Sequence, residues 1–425
     1  MALPPHILQP LAGHVPSSAL ALDSARGAAW SHPARRLAER RLETAGLPTR
    51  RDEYWRYTDP GGFLDYRQED AGALPAPPAI AGDALNLVSR DSVFELPGET
   101  MAGTGVRIAG LGTGHRLGEG RVQNSYGSLE AETQEMIPRG LAAANSCFAE
   151  DGLLIECDGR LKQPLQLLHS ASGAARSAML HHVIDVRPGA ELVIIESGSP
   201  APTSNTVIEI NIAEGASCHL IRIAAAATTS VCSVFASVAE GGEFHQFSLS
   251  AGTRWFRNES VVTLHGDNAV TKLAGAFIGG QQNHHDDTVL VIHEGRHCES
   301  RQVFKKVLRN AAKGIFQGKI LVRPDAQHTD GYQISQALLI DDSAQFLAKP
   351  ELEIYADDVA CSHGSTSGGL EKLPFFYLRS RGLDKASAEE ILALAFLAGA
   401  IDEVADTGLR HSLFELATRW YSELR

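Results

Sequence analysis

Pro188-Gly-Ala-Glu-Leu192, Glu214-Gly-Ala-Ser-Cys218, Glu240-Gly-Gly-Glu-Phe244 and His265-Gly-Asp-Asn-Ala269 share one layout: a glycine at a turn, then a run with strand propensity. Gly189, Gly215, Gly241 and Gly266 stand 26, 26 and 25 residues apart. A fixed period of this size marks stacked structural repeats. The segments between the turns are rich in Val, Ile, Thr and Phe, which excludes helical repeats. A four-stranded propeller blade needs about 40 residues, whereas this period fits one coil of two or three short strands. The reading is a right-handed parallel β-helix over residues 150–370, the hand following from the rule for parallel crossovers. The competing reading is an antiparallel sandwich in which the spacing is coincidental.

Outward from this core, residues 1–70 read as a mostly helical region. Ala28 to Ala45 is amphipathic and ends at Gly46 and Pro48. The run Arg51-Asp-Glu-Tyr-Trp-Arg-Tyr-Thr-Asp59 reads as an aromatic anchor packed against the body. Residues 71–149 are expected to connect, being loose and rich in Ala, Pro and Gly near their start. Residues 371–425 are expected to be helical. Ser387-Ala-Glu-Glu390 has the form of a capping box, and Leu409 to Leu424 carries a second amphipathic pattern.

The chain has 425 residues, with 38 Lys and Arg against 51 Asp and Glu, a formal charge of −13. Such a balance argues against nucleic acid or an anionic membrane as main partner. No apolar run approaches the roughly 20 residues of a membrane helix, and Met1 to Leu20 lacks the layout of a secretory signal. The expected location is the cytoplasm. The six cysteines are scattered, without a CxxC pair or a disulfide framework.

His293-Glu-Gly-Arg-His297 is a literal HExxH. That motif works on a helix, where both histidines share a face. Here a strand-like run, Thr288 to Ile292, precedes it and Gly295 interrupts it, so the match reads as accidental. A metallohydrolase using His293 and His297 is kept only as an alternative. A second alternative is a carbohydrate-active β-helix enzyme, yet Glu191, Glu243 and Asp267 follow the repeat at its turns and form no groove. There is no P-loop. His284-His-Asp-Asp287 reads as a solvated turn. Cys361-Ser-His363 is different: on a strand its two ligand residues share one face, with Cα atoms roughly 6.5 Å apart. A thiolate and an imidazole there could reach one metal, although two ligands do not complete a tetrahedral site. A buried cysteine beside a satisfied histidine is the other reading of the same residues.

Phe304-Lys-Lys-Val-Leu-Arg309, Gly314-Ile-Phe-Gln-Gly-Lys-Ile320, Ala326-Gln-His-Thr-Asp330, Leu338-Leu-Ile-Asp-Asp-Ser-Ala344, Lys349 to Val359, Cys361-Ser-His-Gly364 and Phe376 to Gly382 together resemble the carboxy-terminal core of the SufB/SufD family of iron–sulfur cluster assembly proteins. The resemblance covers about residues 300–400, and the repeat carries it back to about 150. Arg51 to Asp59 resembles an element of the SufD branch. The resemblance implies a β-helix flanked by helices and a non-catalytic scaffold. It implies pairing with SufB, or with a second copy where SufB is absent, and binding of the ATPase SufC through about residues 384–425. Cys361 and His363 match positions implicated in cluster assembly at the SufB–SufD interface. Iron or a cluster is expected there only transiently, with no cofactor held by the isolated chain. Glu371-Lys-Leu-Pro374 departs from the family's more acidic run.

Overall fold

The computed structural model describes residues 5–11, 28–65, 73–74, 76–96, 100–101, 105–112, 117, 121–174, 176–225 and 228–424. Parts of Met1–Leu20 and of 71–149 lie outside these residues. The strands in chain order are β1 (Leu85–Arg90), β2 (Val93–Glu95), β3 (Thr100–Met101), β4 (Val106–Gly110), β5 (Leu153–Cys157), β6 (Leu165–Ser170), β7 (Ser177–Val186), β8 (Glu191–Gly198), β9 (Thr203–Ile212), β10 (Ser217–Ala225), β11 (Thr229–Val238), β12 (Glu243–Ala251), β13 (Trp255–Leu264), β14 (Val270–Gly279), β15 (His284–His293), β16 (Glu299–Leu308), β17 (Lys313–Val322), β18 (Asp330–Leu339), β19 (Gln345–Ile354) and β20 (Ala360–Gly368). The helices are α1 (Pro5–Leu11), α2 (His32–Ala45), α3 (Gly61–Leu64), α4 (Arg121–Asn124), α5 (Ser128–Glu132), α6 (Gly140–Phe148), α7 (Lys372–Ser380), α8 (Lys385–Ile401) and α9 (Thr407–Glu423).

From β5 onward the strands alternate between two ten-stranded sheets, one ordered β2-β1-β6-β8-β10-β12-β14-β16-β18-β20 and the other β19-β17-β15-β13-β11-β9-β7-β5-β4-β3. Among β5 to β20, neighbours within each sheet are parallel and one coil apart, as in Cys218 opposite Leu192 and Phe244. The chain is therefore a parallel solenoid of about seven turns, and the sandwich reading falls. Alternation along the strands sends Leu192, Ile194, Ile208, Ile210, Leu220 and Val234 into one cluster between the sheets, which is the solenoid's core.

The repeat rests on a left-handed turn position at one edge. Gly189, Gly215 and Gly241 have φ of 68, 61 and 60°, a conformation that glycine adopts without steric cost. In the fourth coil the left-handed residue is Asn268 (φ 58°), not Gly266. Gly266 is needed for close approach instead, since a Cβ there would lie 1.9 Å from the Glu240 nitrogen. His297 (φ 56°) and His328 (φ 60°) continue the row. Each of these residues donates its backbone N–H to the next coil's turn.

The segment 71–149 is not a mere connection. β1 lies parallel to β6 and is joined by β2 in antiparallel sense, while β4 pairs antiparallel with β5 and β3. At this end the outermost strands have only three and two residues; at the other end β19 and β20 have ten and nine. Short edge strands offer little to pair with. One end is thus blunted and the other is open.

The outer faces of both sheets are covered. Ile221, Phe247 and Val303 pack beneath Leu394, Leu397, Leu413 and Trp420 of α8 and α9. These helices lie along a sheet face and do not cap the solenoid's end. The N-cap of α8 is Asp384, whose side chain accepts the Ser387 N–H, so the capping box expected at Ser387 is displaced by one turn. α7 stands ahead of them with no buried residue. On the other sheet, Leu129 and Ala142 cover Val207, Val261 and Leu290. Among the described residues no helix is long and apolar enough to cross a membrane.

Candidate functional site

The open end is built from β20 lying on β18, with Cys361 opposite Gly331 and His363 opposite Gln333. Cys361 faces inward, against a cluster formed by Ile320, Val322 and Ala326 with Leu352 and Val359. A Cβ on Gly331 would lie 3.1 Å from its sulfur, so glycine beneath makes room for the thiol. Burial pushes the Cys361 thiol up from its ordinary pKa, and Asp330 adds to this, so the isolated chain holds it protonated at neutral pH. A metal ion or a partner's positive charge would be needed to draw out the thiolate. By the two-residue period His363 shares this face, and it is exposed. Beneath it, Gln333 donates to Gln302 at 2.8 Å, while its own buried Oε1 has no partner among the described residues. The spacing thus places thiol and imidazole together on the last strand, where neither β19 nor β20 has an outer neighbour among the described residues.

The other motifs are dispersed. His293 is buried at the end of β15 and bonds Ser300 at 2.8 Å; His297 lies beyond it on the exposed turn row. The HExxH pair therefore shares no site. Glu191 pairs with Arg160 at 2.9 Å, and Asp267 accepts the Arg296 N–H, so the turn carboxylates are engaged locally.

His284 to Asp287 is no solvated turn. It opens β15, with Asp286 0% and Asp287 2% exposed. The two carboxylates do point to opposite faces, and each is matched by cations. Asp286 bonds Arg257 and Thr58 on the outer face. There the aromatic anchor docks: Trp55 lies 4.0 Å from the Arg257 guanidinium and stacks on Trp255. Lys313 donates to the Tyr57 carbonyl, Gln317 to that of Tyr54, and Lys349 to Glu53. The anchor thereby reaches from β13 to β19 and braces the terminal strand.

Asp287 points inward to Lys306, His285 and Asn258. Asn258 also accepts from Arg222 at 3.3 Å, and Arg222 donates to Glu196 at 2.6 Å, which His169 meets at 3.2 Å. A hydrogen-bonded polar line therefore runs through the solenoid's interior across several coils. Burial alone would raise the Glu196 carboxyl, but Arg222 and His169 hold it well below the usual range. For Asp287, His285 and Lys306 likewise outweigh burial. None of this line was singled out from the sequence. Its signal is the repeat itself, since Glu196 and Arg222 stand 26 residues apart.

Residues 168–396 match the family model described as SUF system FeS cluster assembly, SufBD core domain. The chain is 28% identical over 402 residues to the iron–sulfur cluster assembly protein SufD of Escherichia coli K12, covering 92% of this chain and 93% of that protein. It is 36% identical over 145 residues to a SufBD family protein of Synechocystis, covering 34% and 31% of the two chains. Over 162 residues it is 27% identical to SufD of Bacillus subtilis, covering 38% and 37%. With its glycine repeat, its parallel solenoid and its terminal Cys361–His363 strand, the chain belongs to the SufB/SufD family of iron–sulfur cluster assembly proteins, on the SufD side.

Proposed function

We propose that the chain is a non-catalytic scaffold subunit that pairs with SufB through its open end and works with SufC as a separate ATPase. Cys361 and His363 would supply part of the ligand set for iron or a nascent cluster, and SufB the remainder. The observation that carries this reading is the unpaired end itself. Two long edge strands expose backbone groups that another chain can extend, and Cys361 and His363 sit on one of them. In this reading iron and sulfide are cargo.

Replacing both Cys361 and His363 with alanine should lower the iron and acid-labile sulfide recovered on the purified complex by at least tenfold, with subunit association unchanged. Full cluster loading in that variant would end the ligand assignment.

For the ATPase we propose the surface of the C-terminal helices. Leu373 and Phe376 on α7 are 81% and 71% exposed, a concentration of apolar surface that fits a partner. Cutting away 384–425 would also strip the cover from the sheet beneath α8 and α9, so point changes are the cleaner probe. Leu373→Asp with Phe376→Asp should weaken SufC binding at least tenfold in a titration, without altering the unfolding midpoint. Unchanged affinity would move the docking site elsewhere.

A further inference from the structure

Two groups of side chains outside the Cys361–His363 pair have the composition of a metal site, and the position of their protons separates them. The first is buried in the solenoid: donor atoms of His169, His182 and Glu196 lie within 4.8 Å of one another. His182, however, receives the Leu153 N–H at Nδ1, 3.1 Å away. Its lone pair is therefore at Nδ1, and Nε2, which faces no partner, carries the hydrogen. A neutral histidine of this tautomer offers the site an N–H, and the Arg222 guanidinium already occupies Glu196. This trio belongs to the internal ion-pair line.

The second group lies on the turn row. Gly189, Gly215, Gly241 and Asn268 are succeeded by His297 and His328 in the last coils before the open end. Histidine, like asparagine, is among the few non-glycine residues enriched in the left-handed region. The two imidazoles stack with centroids 4.6 Å apart and planes 19° from parallel, and both residues are exposed. His328 Nδ1 lies 3.0 Å from the carboxylate of Asp358, which can only accept. The hydrogen is thus on Nδ1 and the Nε2 lone pair faces outward, the tautomer that a metal ligand requires. No hydrogen bond engages the ring nitrogens of His297 among the described residues.

We propose that His297 and His328, with Asp358 behind them, form a site for a divalent transition-metal ion on the outer turn of the terminal coils. The rings as stacked run side by side; because both are exposed, they can unstack by side-chain rotation so that one nitrogen of each turns toward a shared ion, at the 2.0–2.1 Å at which zinc and its neighbours bind imidazole. The carboxylate orients His328 and raises its basicity. Water or a partner's side chain completes the coordination. The site stands two residues ahead of β18 and, through Asp358, of β20, beside the strand that carries Cys361. It does not depend on the role proposed for Cys361 and His363.

The test is a titration of the purified full-length chain with Co²⁺ and with Zn²⁺ against a chromophoric chelator. His297→Asn and His328→Asn are the variants of choice, because Asn268 already holds the same backbone conformation in the neighbouring turn. Each should abolish one bound ion, and Asp358→Asn should weaken that ion at least tenfold. The Co²⁺ spectrum of this site should lack thiolate charge transfer and should persist in the Cys361→Ala, His363→Ala double variant. Unchanged binding in both asparagine variants overturns the proposal. So does bound Co²⁺ that shows a thiolate band and is lost with Cys361.

Discussion

Shifting the purified chain from pH 7 to pH 5 is expected to remove about 2 kcal/mol of folding stability for each of four histidines, two of them buried and two partly buried. Burial lowers His182 and His245 to about 3, and His284 and His293 to about 4. In the unfolded chain the same side chains titrate near 6.5. Below that value the unfolded state takes up protons that the folded state refuses, so the contribution is complete above about pH 6.5 and is lost as the pH falls toward 4. Together these terms are comparable with a domain's entire stability of about 5–15 kcal/mol. Asp287 and Glu196, held below their ordinary range, act with the same sign in a lower window, beneath about pH 4. Urea unfolding at pH 7, 6 and 5 reads the effect directly. A midpoint that stays level across this range would show that these histidines are not held neutral.

Arg222→Ala should cost about 3–5 kcal/mol, because it leaves the Glu196 carboxylate in the solenoid's interior without its strongest partner. His169 remains, but its bond is the longer one at 3.2 Å. Replacing both partners, Arg222→Met with Glu196→Leu, removes the charge along with its need. That double variant should lie within about 1 kcal/mol of the parent or above it. A double-mutant cycle by chemical denaturation separates the two cases. If the single change costs under about 1 kcal/mol, the value for an exposed pair, the interior is wetter than its burial indicates and the line does not act as a buried network.

The turn glycines were enough to reveal the solenoid because a left-handed residue recurs at one edge and glycine takes that conformation most easily. The same rule explains why the period drifts. Once Asn268, His297 and His328 take over the position, the signal leaves glycine and the coils lengthen. Cys361 and His363 were legible as a pair because alternation along a strand is local. His284 to Asp287 was misread because four polar residues in a row look solvated unless the cations that meet them are known. Arg257 comes from the adjacent strand of the same sheet and Lys306 from β16 of the facing sheet, so only the folded coils bring them together. The β1–β4 strands were missed because they are short and pair with coils far along the chain, so no local periodicity announces them.

The difference between the two ends sets a valence. A stack of coils that is adhesive at both ends can grow without limit, since each addition leaves another free edge of the same kind. Here, among the described residues, the first coils close on strands of two and three residues, and only the last coils present long ones. If the proposed pairing takes place at the long strands, a subunit so made would be saturated after one joining event, and the junction would occur once per assembly.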